Sequence, residues 1–189
     1  MITIDEIKEI MSTIKDLPKF EKMIEFTSVI TQYFNTTKIK PIVVGGLSVE
    51  IYTRSHYTTS DIDLVTDGYH EFDKLLTQLE FKKVSKEWYH EDLGLAIEIP
   101  SNFLEGSYDK VYEISLKSGR TIYVIGIEDI IIHRLESACI HPNPENYEDY
   151  EWAYRMFLIH SQEIDKEYIL KYAEETRTDL YIKKWYKEL

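Results

Sequence analysis

Apolar residues recur with a helical period at both ends of the chain, whereas the middle of the chain has strand-like runs. One helical face near the N-terminus consists of Ile7, Ile10, Met11 and Ile14. Thr3 and Glu6 have the spacing of a capping box, which predicts that a helix begins there. Pro18 interrupts this pattern, and a second amphipathic run then continues to Phe34.

The middle of the chain predicts a small sheet. Residues 42–44 form a short apolar run that ends at Gly45-Gly46, and a short helix is expected over residues 47–52. Residues 61–65 form a second strand, which Asp67-Gly68 ends. A helical period follows this strand, and three further strands are predicted over residues 95–99, 111–116 and 121–125.

Helical periodicity returns after Gly126 and continues to the C-terminus. The pattern therefore predicts an α/β (α+β) fold, a small mixed sheet flanked by N-terminal helices and a C-terminal helical region. We expect a core over residues 1–126 that includes the N-terminal helices. Residues 127–189 are expected to form the helical region that packs on this core.

Composition limits the classes of protein and of partner. The chain has 189 residues, 43% of them hydrophobic, with no long apolar span or basic leader, so a soluble cytoplasmic protein without a membrane partner is expected. The single cysteine, Cys139, excludes an internal disulfide. A net charge of −12 disfavours a broad grip on phosphate backbones, and no extended DNA binding is expected.

The strongest chemical signal is the pair Asp61 and Asp63. Residues two apart on a strand point to the same face, so the two carboxylates would project together. Such carboxylates repel each other unless a cation lies between them, and magnesium prefers oxygen ligands. Taken alone, Asp-x-Asp is a weak signal that more often marks a strand end with turn-forming aspartates.

Gly45 and Gly46 lie where the first strand turns into a helix. Glycines there allow close backbone approach, and helix N-terminal amides attract phosphate, with Ser48 as an additional hydroxyl donor. An ordinary strand-to-helix turn would explain the glycines as well, and the lysine and spacing of a Walker loop are missing. The order of these features carries more information than any one of them.

That order, from Val44-Gly45-Gly46-Leu47-Ser48 to Asp61-Ile62-Asp63-Leu64, resembles the nucleotidyltransferase superfamily, which includes polymerase-β-like and aminoglycoside-modifying enzymes. The chain is particularly similar to bacterial nucleotidyltransferases and to nucleotidyltransferase toxins of the abortive-infection type. The resemblance covers roughly residues 40 to 155. It implies a nucleotidyltransferase sheet and a transferase activity.

The resemblance also implies roles for the acidic residues. Family members carry a third acidic residue on a neighbouring strand, and Glu98 matches it, with Glu in place of the more usual Asp. Asp61, Asp63 and Glu98 are thus expected to be catalytic and to hold two Mg²⁺ ions, for which Mn²⁺ could substitute. The alternative for Glu98 is an edge-strand glutamate that faces water.

Further residues are expected to bind the nucleotide. They are Gly45, Gly46, Ser48, Arg54, Thr59 and Arg134. Arg134 occupies a helix position where relatives usually carry lysine, and Glu148 and Glu151 loosely match a pair of aspartates. Tyr57 could stack on a base. A polar surface loop explains Arg54 and Thr59 equally well, and a snorkelling surface side chain explains Arg134.

The expected function is a magnesium-dependent transfer of a nucleoside monophosphate from an NTP such as ATP to a hydroxyl acceptor. The acceptor could be tRNA, a protein or a small molecule, and a toxin would require a partner antitoxin. One alternative is a catalytically silent nucleotide-binding or protein-interaction module on the same fold. A glycosyltransferase that uses Asp-x-Asp is less well supported, because no βαβ domain of adequate size comes first.

Overall fold

The computed structural model describes residues 2–189, which form eight α-helices and seven β-strands. The helices are α1 (Ile4–Ile14), α2 (Lys19–Phe34), α3 (Gly45–Tyr52), α4 (Tyr69–Gln78), α5 (Ile127–Cys139), α6 (Glu148–His160), α7 (Lys166–Thr176) and α8 (Asp179–Glu188). The strands are β1 (Ile42–Val43), β2 (Asp61–Val65), β3 (Lys82–Val84), β4 (Glu87–His90), β5 (Leu95–Glu98), β6 (Tyr112–Ser115) and β7 (Thr121–Val124).

The chain divides into two compact units. The first comprises the residues up to Ser48 together with residues 58–104 and 111–124. The second comprises residues 49–57, 105–110 and 125–189. The division of the chain into a core over residues 1–126 and a helical region over residues 127–189 stays a prediction.

All seven strands lie in the first unit and form one mixed sheet in the order β3-β4-β5-β2-β1-β7-β6. Strand β1 is antiparallel to β2 and parallel to β7, and β2 is parallel to β5. The remaining neighbours, β3 with β4, β4 with β5 and β6 with β7, are antiparallel. The predicted α/β fold class with a mixed sheet is confirmed.

Local signals explain the elements of the first unit. The Thr3 side chain accepts a bond from the Glu6 amide and the Glu6 side chain accepts one from the Thr3 amide, so the predicted capping box begins α1. Strand β2 buries Ile62 and Leu64 and leaves Asp61 and Asp63 half-buried, as alternation requires.

The core of the first unit contains an aromatic cluster. Phe34 of α2 stacks on Phe72 of α4 with ring centroids 4.6 Å apart, and Phe26 of α2 packs on Phe81 at 5.3 Å. Trp88 of β4 is fully buried and its indole donates to the Asp73 carboxylate over 2.9 Å. The hairpin of β3 and β4 was not predicted, and Trp88 joins it to this core.

The second unit is helical, with α5 packed against α6 and α7. Gly126 precedes the first residue of α5, where the sequence predicts the start of a helix. Fully buried side chains from α6 and α8 meet where Phe157 packs on Trp185 with ring centroids 5.4 Å apart. Within residues 2–189, none of the helices has the length and apolar character needed to cross a membrane.

Candidate functional site

Acidic side chains line one face of the sheet in the first unit. Asp61 and Asp63 share this face of β2 because Ile62 and Leu64 occupy the buried face. On the neighbouring parallel strand, Asp63 is in register with Glu98 and Asp61 with Ala96. Adjacent strands lie about 4.8 Å apart, so the Glu98 side chain starts directly beside Asp63.

A fourth acidic residue, Glu87, extends this row. It is the cross-strand partner of Glu98 in the antiparallel pair of β4 and β5, which places both side chains on the same face. Sequence reasoning missed Glu87 because β4 itself was not predicted. Like charges directly opposite each other are destabilising, and a cation at this face would relieve their repulsion.

Gly45 allows the turn between β1 and α3 to approach Asp63 closely. Its φ of +56° lies in the left-handed region, and a Cβ atom there would lie 2.0 Å from Asp63 Oδ2. The amide of Gly46 donates to the same oxygen over 3.4 Å. Glycine is required at position 45 both by the backbone conformation and by the carboxylate.

Gly46 allows a second close approach, by Thr59. A Cβ atom on Gly46 would lie 2.4 Å from Thr59 Oγ1. The Thr59 hydroxyl donates to Asp61 Oδ1 over 2.8 Å. The structure thus brings Gly45, Gly46, Thr59, Asp61 and Asp63 together, and gives Thr59 a carboxylate partner where the sequence predicts a phosphate.

The structure places Ser48 on the buried side of the turn, and its predicted role in phosphate binding stays a prediction. Its side chain is fully buried, and its hydroxyl donates to the Gly45 carbonyl over 2.8 Å. A buried hydroxyl that already serves the backbone of the turn does not face a ligand. In this conformation Ser48 stabilises the start of α3, and the Gly46 amide is the group of the turn that donates to the Asp63 carboxylate.

The residues of the acidic face fit magnesium by donor type and by position. Carboxylate oxygens are its preferred ligands, and Asp61, Asp63 and Glu98 share one face within one strand spacing. Over residues 2–189, however, no three His, Cys, Asp or Glu side chains are already grouped as metal ligands. The amide of Gly46 contacts Asp63 over a long distance of 3.4 Å.

Arg54 and Arg134, the two arginines predicted to bind phosphate, belong to the second unit. Arg54 is exposed and has a φ of +54°. Arg134 Nη1 donates to Asp149 Oδ1 over 2.8 Å, and its guanidinium lies 5.7 Å from the centre of the Tyr57 ring. The partner of Arg134 is therefore Asp149, which stands between the loosely matched Glu148 and Glu151.

The second unit also contains a buried carboxylate, Asp129, at the start of α5. Its Oδ1 accepts from the Tyr168 hydroxyl over 2.6 Å, and its Oδ2 accepts from the Ser107 amide over 3.0 Å. Burial raises the pKa of Asp129, and these two hydrogen bonds act in the opposite direction. The apolar pattern of α5 contains no sign that this carboxylate is buried.

The fold of this chain is similar to that of a solved nucleotidyltransferase-like protein. A crystal structure of an antigenic nucleotidyltransferase-like protein from Paracoccidioides brasiliensis is similar, with a TM-score of 0.56, 16% identity and coverage of 85% of this chain and 91% of that chain. No protein-family model matches the sequence, and no curated protein matches it significantly.

Two structures of the antibiotic-resistance factor ANT(2'')-Ia were also matched. The solution structure has a TM-score of 0.48 and 14% identity, and covers 84% of this chain and 99% of that one. The crystal structure in complex with adenylyl-2''-tobramycin has a TM-score of 0.43 and 14% identity, and covers 73% of this chain and 95% of that one.

Proposed function

We propose that this protein is a magnesium-dependent nucleotidyltransferase that moves a nucleoside monophosphate from an NTP to a hydroxyl acceptor. The observation that carries the proposal is the register of β2 and β5, which aligns Asp63 with Glu98 on the face that also carries Asp61. The Gly45-Gly46 turn packs against Asp63 at the same place. Triphosphate-binding amides and metal-binding carboxylates would thus be adjacent.

In the proposed reaction, the acceptor oxygen attacks the α-phosphorus of the NTP. A bond forms between these atoms, the bond from the α-phosphorus to the bridging oxygen breaks, and pyrophosphate leaves. Asp61, Asp63 and Glu98 would hold Mg²⁺, which neutralises charge on the triphosphate and on the leaving group. Glu98 would accept the proton of the acceptor hydroxyl, and the amides of the Gly45-Gly46 turn would bind the β- and γ-phosphates.

The test is transfer of label from each of the four α-phosphate-labelled NTPs to separate pools of tRNA, protein and small-molecule acceptors. Asp63→Asn should abolish transfer while the melting temperature changes little, because Asp63 is half-buried and asparagine keeps the size of its side chain. Asp67→Asn is the matched control, since Asp67 is exposed just beyond the end of β2. Full turnover by Asp63→Asn would remove the mechanism.

The acceptor belongs to one of three classes, tRNA, protein or small molecule, and the three pools distinguish them. The charge of −12 works against a large RNA footprint and favours a small or cationic acceptor. If the acceptor is tRNA, a toxin whose activity a partner antitoxin blocks is the natural biological role. Labelled tRNA together with growth arrest on expression would support this role, whereas label in the small-molecule pool would oppose it.

A second candidate function is nucleotide binding without turnover. It is favoured by the ungrouped carboxylates of the described chain and by the pairing of Arg134 with Asp149. Saturable NTP binding with no labelled product in any pool would support this function. Product formed by the wild type and lost in Asp63→Asn would exclude it.

A further inference from the structure

We infer that Thr59 is a positioning residue that holds Asp61 in the orientation needed to receive a divalent cation. The inference rests on the proposed function, because it assigns a role to a neighbour of the proposed metal ligands. Its basis is the 2.8 Å hydrogen bond from the Thr59 hydroxyl to Asp61 Oδ1. This bond occupies Asp61 Oδ1. The second carboxylate oxygen, Oδ2, would then be the one that binds the cation.

The chemistry of this bond suits a metal ligand. A carboxylate at the start of a strand rotates about two side-chain bonds, and a fixed donor removes part of that freedom before the cation arrives. Partners that hydrogen-bond to metal ligands typically alter metal affinity by tenfold to about a hundredfold when they are removed. Thr59 precedes Asp61 by two residues, so one short stretch of backbone fixes the positions of both the hydroxyl donor and the carboxylate.

Gly46 supplies an independent reason to place the hydroxyl there. A Cβ atom at position 46 would lie 2.4 Å from Thr59 Oγ1 and 2.8 Å from Thr59 Cβ. Any larger residue would push the Thr59 side chain away from its present position beside Asp61. The second glycine of the turn is therefore required for the position of Thr59 as well as for any approach of phosphate.

Two variants separate the hydroxyl from the shape of the side chain. Thr59→Val keeps the branched shape and removes the donor, whereas Thr59→Ser keeps the donor and removes a methyl group. Mn²⁺ is titrated into each full-length variant and the free ion is measured by electron paramagnetic resonance. Asp61→Asn/Asp63→Asn provides the baseline, because a chain of charge −12 binds cations non-specifically.

We expect Thr59→Val to weaken the site-specific Mn²⁺ affinity by about tenfold, with Thr59→Ser close to the wild type and both melting temperatures unchanged. Gly46→Ala should weaken Mn²⁺ binding as well, because the added Cβ atom would displace residue 59. Equal affinity in Thr59→Val and the wild type would overturn this inference alone. Wild-type binding no stronger than the baseline would overturn the proposed metal site, and this inference with it.

Discussion

The two units each contain a prominent aspartate near the start of an element, but the two side chains are held in different ways. Asp61 of β2 is half-buried, shares a face with Asp63, and accepts one hydrogen bond from Thr59. Asp129 of α5 is fully buried and accepts bonds at both oxygens, from the Tyr168 hydroxyl and the Ser107 amide.

This difference separates two uses of the same residue type. A carboxylate whose oxygens are all satisfied within the protein stabilises the fold, and it has no lone pairs directed towards a ligand. A carboxylate beside other carboxylates, with few donors around it, is costly unless a cation binds. Burial and partners distinguish a structural acid from a candidate ligand, although both appear in sequence as an aspartate beside apolar residues.

The largest effect is expected from Gly45→Ala, which places a methyl group against the acidic face of the sheet. The new Cβ atom would collide with Asp63 Oδ2 at 2.0 Å, and displacement of this proposed metal ligand should lower activity about a hundredfold. Gly94→Ala is the matched control, because Gly94 also has a positive φ of 61° but has nothing within 4 Å of the added atom. Both variants carry a backbone penalty of about 1 kcal/mol.

The activity of Gly45→Ala and Gly94→Ala is measured by transfer of labelled nucleotide, and their stability by urea unfolding. Gly94→Ala should lose stability and keep its specific activity, whereas Gly45→Ala should lose both. An equal loss of activity in the two variants would mean that backbone strain, rather than displacement of Asp63, explains the requirement for glycine.

The second effect concerns the structural acid. Asp129→Ala leaves the Tyr168 hydroxyl and the Ser107 amide without their acceptor, so the free energy of unfolding should fall by about 2 kcal/mol or more. Asp61→Ala should change it by less than about 0.5 kcal/mol, because removal of one acid also relieves repulsion on the acidic face. If Asp61→Ala proved as destabilising as Asp129→Ala, the distinction between the two acids would fail.

The elements that the sequence predicted are those with a regular apolar period or a local cap. Strand β2 was predicted over the same residues because Ile62 and Leu64 alternate with the two aspartates. The hairpin of β3 and β4 was missed because all of Lys82–Val84 is exposed and Trp88 alone marks the core side.

The site could be predicted as far as local spacing reaches. Asp61 and Asp63 were placed on one face by alternation, but the register that sets Glu98 beside Asp63 is a long-range pairing that no local pattern contains. The burial of Ser48 and the bond between Thr59 and Asp61 likewise depend on how the turn packs. The candidate residues could be chosen from the sequence, but the residues that they contact could not be predicted from it.

A third, smaller effect is the pH dependence of the structural acid. Burial raises the pKa of Asp129 in the folded state above 3.8, so the folded state binds the proton more tightly than the unfolded state does. The contribution of this group to stability is therefore present below the unfolded pKa and is lost as the pH rises through the folded pKa. The stability of the wild type relative to Asp129→Asn should fall as the pH rises above about 4.

The slope of that difference is limited to about 1.4 kcal/mol per pH unit for one proton. Urea unfolding of both proteins between pH 4 and pH 8 would measure it, at roughly one-unit steps. A difference that rises with pH would show that the hydrogen bonds from Tyr168 and Ser107 outweigh burial. Asp129 would then be stabilised as the charged form.

The smallest effect is expected from the ion pair of Arg134 and Asp149, and it tests whether this pair serves only the fold. Arg134 and Asp149 form a half-buried ion pair, with side chains 22% and 35% exposed, and Arg134 also lies over the Tyr57 ring. Arg134→Met should lower the free energy of unfolding by about 0.5–1 kcal/mol. Asp149→Asn removes the ion pair but leaves the guanidinium in place, so the two variants need not behave alike towards the nucleotide.

If Arg134 serves only the fold, both variants should lose similar stability and keep the same KM for the NTP. If it also binds phosphate, Arg134→Met should raise that KM, whereas Asp149→Asn should leave it unchanged or lower it, because the competing carboxylate is gone. Equal increases in KM in the two variants would show that nucleotide binding needs the intact pair. Asp149 would then be a functional acid, and the second unit would no longer contain structural acids alone.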